Sequence, residues 1–165
     1  MSHKFRVRVG EMADVYTDMV DKLLDYSHDL INVDFSVRAQ LLHGVVPLCE
    51  AVSTGAVPFR YQMKAPNDIP RVRAAFNQWL VLDTPLYDLP MEAVLRLEVH
   101  VAQHAGVAAG TSLCFGWTNY LLFGRDKWFR NDAHGINFWP GAAPAYIGPT
   151  GENLLGQRAF VLDIE

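Results

Sequence analysis

Few side chains in this chain have the types and spacing for chemistry. His100 and His104 lie four positions apart, and Cys114 follows ten residues later, types that hold zinc. Along one strand, however, four residues span about 13 Å, so a shared ion requires the chain to turn after Val101. Without that turn they are a solvent-facing histidine and a loop histidine. Ser112, Cys114 and His134 supply the members of a nucleophilic triad on paper, but no G-x-S-x-G elbow presents a serine. Gly124-Arg125-Asp126-Lys127 lacks the glycine-rich backbone that cradles phosphate before a lysine. Calcium needs about six to eight oxygens converging from several carboxylates. Residues 103–110 contain no Asp or Glu, and residues 54–70 offer only Asp68. Asp14, Asp18, Asp21, Asp25 and Asp29 are strung along one solvated face and do not converge. The expectation is therefore no catalytic residue, no metal ligand and no cofactor site.

Two basic clusters remain. Arg60, Lys64, Arg71 and Arg73 are offset only by Asp68. Arg125, Lys127 and Arg130, offset by Asp126, are interleaved with Trp128 and Phe129. Cations beside an indole suit an anionic lipid surface, where the ring sits at headgroup depth and the charges meet phosphate. The simpler alternative is a solvated loop with Trp128 or Phe129 tucked into the core. Aromatics beside cations also serve nucleic acid, but the chain's net charge of -4 argues against a polyanion partner.

The elements that position these groups follow from the apolar pattern. At 165 residues, 50% hydrophobic and 19% charged, the chain fits one domain with a substantial core. Two cysteines, Cys49 and Cys114, are too few for a disulfide scaffold and suggest a cytosolic setting. No apolar run approaches the length of a membrane span. Phe5, Val7 and Val9 alternate with Arg6 and Arg8, a strand ended by Gly10. Met12, Val15, Met19, Leu23, Tyr26 and Leu30 then recur every three or four positions, either an amphipathic helix or an acidic loop with apolar anchors. Strand alternation returns at Val33, Phe35, Val37, Ala39 and Leu41, turns at Gly44, and continues over residues 46–53. Residues 54–70 contain three prolines and read as irregular. Further strands are expected over 76–83, 95–101, 115–123, 136–138 and 160–164, with Trp79, Trp117 and Trp139 as core aromatics.

That makes eight strands and at most one helix, inserted over about residues 11–30. Helices do not alternate with strands, so the pattern predicts an all-β antiparallel sandwich, with a closed barrel as the alternative.

The order of several short motifs then resembles one family. Lys4-Phe5-Arg6-Val7-Arg8-Val9 is followed by Leu42-His43-Gly44, Pro47-Leu48-Cys49, Val52-Ser53-Thr54 and Val57-Pro58. Asn77-Gln78-Trp79-Leu80 runs into Asp88-Leu89-Pro90, then residues 113–123 and Asn137-Phe138-Trp139-Pro140. This series resembles the C2 domain of phosphoinositide 3-kinase catalytic subunits, most of all class I. Phe129-Arg130 and Trp139-Pro140 also look like class III. The resemblance implies an eight-stranded C2 β-sandwich spanning residues 1–165 as a single domain, excised from a multidomain lipid kinase. It implies no catalysis in the domain itself. The parent enzyme would phosphorylate the 3-position of phosphoinositides through a separate kinase domain that uses ATP and Mg. The domain's partners would be the helical and kinase domains of that parent, a regulatory-subunit coiled coil, and anionic phospholipid membrane. Its location would be the cytoplasm, with peripheral recruitment to membranes.

Four departures qualify that expectation. The family's lysine-rich loop corresponds here to residues 103–112, which contain no Lys or Arg. Lipid contact would fall instead to Arg125, Lys127, Trp128 and Arg130, with Arg60, Lys64, Arg71 and Arg73 as a second patch. The family's asparagine that meets the regulatory coiled coil corresponds to Ala51, so a contact at Glu50 and Ala51 would be weakened or absent. The 11–30 insert is longer than the family's usual connection. Phe76 replaces a family tryptophan, a swap the core tolerates. The alternative function is an autonomous, calcium-independent module that binds anionic lipid, and a small hydrolase is a third.

Overall fold

In a computed structural model of the protein, the structure describes residues 3–16, 33–62, 71–103, 112–124, 134–141 and 161–164. Two antiparallel sheets face each other across one core. The first has the order β10-β12-β1-β7-β6, built from β1 (Lys4–Tyr16), β6 (Arg60–Gln62), β7 (Arg71–Pro85), β10 (His134–Asn137) and β12 (Val161–Ile164). The second has the order β11-β9-β8-β2-β3, from β2 (Val33–His43), β3 (Val46–Pro47), β8 (Val94–Gln103), β9 (Ser112–Leu121) and β11 (Trp139–Pro140). The short β4 (Val52–Ser53) and β5 (Val57–Pro58) also pair with β2.

The alternation read from the sequence fills the space between the sheets. Phe5, Val7 and Val9 of β1 and Val72, Ala74, Phe76, Leu80 and Leu82 of β7 face Phe35, Val37, Ala39 and Leu41 of β2. Leu95, Leu97, Val99 and Val101 of β8 complete that layer. Phe35 anchors the centre, edge-on to Phe115 at 5.7 Å and to Phe59 at 6.3 Å. Burying each such side chain favours folding by about 1.5–3 kcal/mol. The sandwich is thus the observed architecture, and the two separate strand orders replace the closed-barrel alternative.

Three expectations about elements are corrected. Gly10 does not end β1. The pairing slips there against both β7 and β12, and the inward positions change from Phe5, Val7 and Val9 to Met12. Residues 11–16 of the expected insert are therefore strand, and the slip spoils a simple period of two. Residues 17–32, the rest of the insert, lie outside the described residues. Residues 46–53 form β3 and β4 rather than one returning strand, because the chain leaves the edge of β2 and rejoins it. Gly44 carries φ +64 between His43 and Val46, as a two-residue II′ hairpin demands at its first turn position. The stretch read as irregular contributes β5 and β6, and β7 begins at Arg71 rather than at residue 76.

Candidate functional site

The outward face of the seven-stranded sheet carries a cluster of titratable side chains. With Leu95, Leu97, Val99 and Val101 turned inward, Arg96, Glu98 and His100 must point outward, since side chains alternate along a strand. Register places Arg38 of β2 opposite Glu98 and Ser36 opposite His100. On the other flank, β9 places Asn119 opposite Arg96, Trp117 opposite Glu98 and Cys114 opposite His100. A bulge makes the last two compatible. Between the pairs Val99–Gly116 and His100–Cys114 the register shifts by one residue, at Phe115. The extra residue lets Cys114 and Trp117 lie on the same outward face although their numbers differ in parity.

The contacts form two linked groups. His100 Nε2 lies 2.8 Å from Glu98 Oε2, and because the carboxylate can only accept, the ring nitrogen donates. Arg38 Nη1 pairs with the other carboxylate oxygen, Oε1, at 3.5 Å. The hydrogen bond from His100 is the main reason the Glu98 carboxyl is held below its ordinary range. Burial opposes that effect, and Arg38 and Arg96 reinforce it. Cys114 Sγ contacts the Gly116 carbonyl at 3.6 Å, a weak interaction. In the second group, Arg96 Nε donates to Asn119 Oδ1 at 3.1 Å, and its guanidinium carbon lies 5.9 Å from the Trp117 ring centroid. Burial lowers the Arg96 pKa, and Glu98 opposes the shift. Among the described residues, Arg96 Nη2 and Asn119 Nδ2 are buried without a hydrogen-bond partner.

The sequence placed chemistry elsewhere, and the structure sorts those residues. Arg125, Lys127, Trp128, Arg130 and Lys64 lie outside the described residues, as does His104. Arg60 and Arg73 are a directly facing pair across β6 and β7, while Arg71 pairs with Gln62 and Tyr16. Arg73 is not a free cation. Its Nε and Nη2 grip the Glu11 carboxylate at 2.9 and 2.7 Å. Glu50 is exposed and Ala51 half-buried in the connection between β3 and β4. Ser112 and Cys114 belong to β9 and His134 to β10 of the other sheet, so the paper triad spans two sheets. The expected core role of the three tryptophans is corrected: Trp79 is 51% and Trp139 37% exposed, and Trp117 is half-buried on the outward face. On β7 the even positions Val72, Ala74, Phe76, Leu80 and Leu82 point inward, so Trp79 must point out.

The outward face of the five-stranded sheet carries a second arrangement. Arg6 stacks over Trp79 at 5.0 Å, Arg8 donates to Asn77 Oδ1 at 3.3 Å, and Lys4 pairs with Asp83 at 2.7 Å. Val81, directly opposite Arg6, is 54% exposed. On this face Trp79 and Val81 of β7 lie beside Lys4, Arg6 and Arg8 of β1.

Reading from residues alone missed the juxtaposition of Glu98, His100 and Cys114. The signal was a Glu-x-His pair on one strand face with a cysteine on the following strand, but the facing register depends on the bulge at Phe115. No characterised protein gives a significant match to the chain. A family model described as phosphoinositide 3-kinase C2 matches residues 32–159. That span includes the whole seven-stranded sheet and most of the core, and on it the chain belongs to the phosphoinositide 3-kinase C2 family, a family of non-catalytic domains.

Proposed function

We propose that this domain positions the other domains of a phosphoinositide 3-kinase and performs no chemistry on the lipid. In this reading ATP and Mg act in a separate kinase domain, and the sandwich packs against that domain and its helical neighbour. The observation that carries the reading is the outward face of β7, where Trp79 and Val81 are each more than half exposed. Large apolar side chains grouped on a regular sheet face favour burial against a partner. Glu50 and Ala51, in the connection between β3 and β4, are left for a regulatory coiled coil.

The test is binding between this domain and the helical and kinase portion of its parent enzyme, produced as separate chains. Association weakened at least tenfold by Val81→Asp is the expected result. No association, or association indifferent to Val81→Asp and Trp79→Ala, would remove this surface from the reading.

A second reading has its own support. Arg6 and Arg8 beside an exposed indole match the chemistry of a peripheral, calcium-independent contact with anionic lipid. Salt-sensitive sedimentation with anionic vesicles, lowered by Arg6→Ala and Trp79→Ala, supports it. Loss caused instead by Lys127→Ala and Arg130→Ala moves the lipid contact to the 125–130 segment.

A further inference from the structure

Three different metal-ligating side chains converge on the outward face of β8 and β9. The carboxylate of Glu98, a ring nitrogen of His100 and Sγ of Cys114 all lie within 4.8 Å of one another. We propose that Glu98, His100 and Cys114 form a transition-metal site, and that zinc(II) is the ion their mixed donors fit best.

The donor set selects the class of ion. Alkaline-earth cations take oxygen ligands and have no use for a thiolate, whereas one sulfur, one imidazole nitrogen and one carboxylate oxygen suit borderline zinc. Zinc sits about 2.3 Å from sulfur and about 2.0–2.1 Å from nitrogen or oxygen, so tetrahedral ligands lie about 3.5 Å apart. Closing from 4.8 Å to that spacing asks only for side-chain rotation. The backbone already holds the ligands close, because His100 and Cys114 are directly opposed and Glu98 is two residues before His100 on the same face.

The surroundings support the same assignment. Arg38 holds Glu98 Oε1, which leaves Oε2, the oxygen now facing His100, to meet the ion. A ligating carboxylate fixed through its second oxygen is the usual outer-shell arrangement. The contact of Cys114 with the Gly116 carbonyl is weak. Binding breaks the His100–Glu98 hydrogen bond, forms the metal–sulfur bond with release of the thiol proton to solvent, and takes the imidazole as a neutral ligand whose proton sits on the ring nitrogen away from the ion. Among the described residues, the charged and polar groups around the cluster include Arg38 and Ser36 on β2 and Arg96 on β8. The two arginines favour the carboxylate form of Glu98 while repelling a dication, so affinity falls below that of a closed four-ligand site. Three protein ligands leave a fourth position for water or for a side chain from a packed neighbour.

Cobalt(II) titration of the 165-residue chain, with thiols kept reduced, tests this directly. A near-ultraviolet thiolate-to-cobalt band that saturates at one ion per chain, and is bleached by added zinc, is expected. Cys49→Ser should keep the band, since Cys49 is the other cysteine. Cys114→Ser should abolish it, and Glu98→Gln and His100→Gln should each weaken cobalt binding at least tenfold. Circular dichroism of every variant separates lost ligation from lost folding. If Cys114→Ser does not fold, the two weaker-binding variants carry the decision. The proposal is overturned by an absent band in the folded parent chain, by a band that follows Cys49, or by affinities that Glu98→Gln and His100→Gln leave unchanged.

Discussion

Arg6 reaches diagonally over Trp79 on the open side of the five-stranded sheet, with its guanidinium carbon 5.0 Å from the indole centroid. The indole is half exposed, so the domain's own stability depends little on it. An exposed cation–π contact contributes about 0.5–1 kcal/mol, whereas truncating a core tryptophan costs about 3–5 kcal/mol. Trp79→Ala should therefore lower the unfolding free energy by about 1 kcal/mol in urea denaturation. A loss in the core range would mean the indole is enclosed by its own chain.

Thr54 holds the edge of β2 through two bonds to Val37. The Val37 amide donates to Thr54 Oγ1 at 2.9 Å, and the Thr54 amide donates to the Val37 carbonyl at 2.9 Å. Thr54→Val keeps the volume but leaves the Val37 amide buried without that acceptor, a cost of about 1–3 kcal/mol. Thr54→Ser restores the acceptor and should recover most of the loss. Equal destabilisation by both changes would put the effect in packing rather than in the hydrogen bond.

These two cases mark what a one-dimensional reading delivers. The inward residues of β2 and β8 were legible because Phe35 to Leu41 and Leu95 to Val101 keep strict alternation over unbroken strands. Trp79 was misjudged because hydrophobic size was read ahead of parity, although Phe76, Leu80 and Leu82 already set the inward side of β7. The continuation of β1 beyond Gly10 was hidden for a different reason. A slip in pairing reverses which positions face inward, and Met12 then imitates the start of a helical period. The opposition of His100 and Cys114 was harder still. It depends on one extra residue at Phe115, and register between strands leaves no local mark in the sequence.

Asn77 interrupts β7 in a left-handed backbone conformation, with φ +48. Asn tolerates this region, glycine prefers it, and a β-branched residue resists it. Asn77→Gly should stay within about 0.5 kcal/mol of the parent, offsetting the lost Arg8 contact with relief of the backbone. Asn77→Val should cost about 1–2 kcal/mol. Thermal melts of the two variants decide the matter, and a valine variant as stable as the glycine one would show that the strand straightens at no cost.

Glu98 ties the stability of the seven-stranded sheet to acid. Its carboxyl titrates below the ordinary 4.5 in the folded chain, chiefly because His100 donates to it, and more protons therefore bind the unfolded chain in that window. Stability from this group is fully present above pH 4.5 and is lost as pH falls through the lower folded value. Glu98→Gln removes the ionisation along with the charge-assisted bond. Near neutral pH the variant should be less stable by about 1–3 kcal/mol, because Arg38 and His100 lose a charged acceptor. On acidification the two proteins should converge, since protonation removes from the parent what the substitution has already removed. Urea denaturation across this range in the presence of a chelator reads the difference directly. A constant gap between the two curves down to strongly acid pH would mean that Glu98 is not the group whose protonation unsettles the sheet.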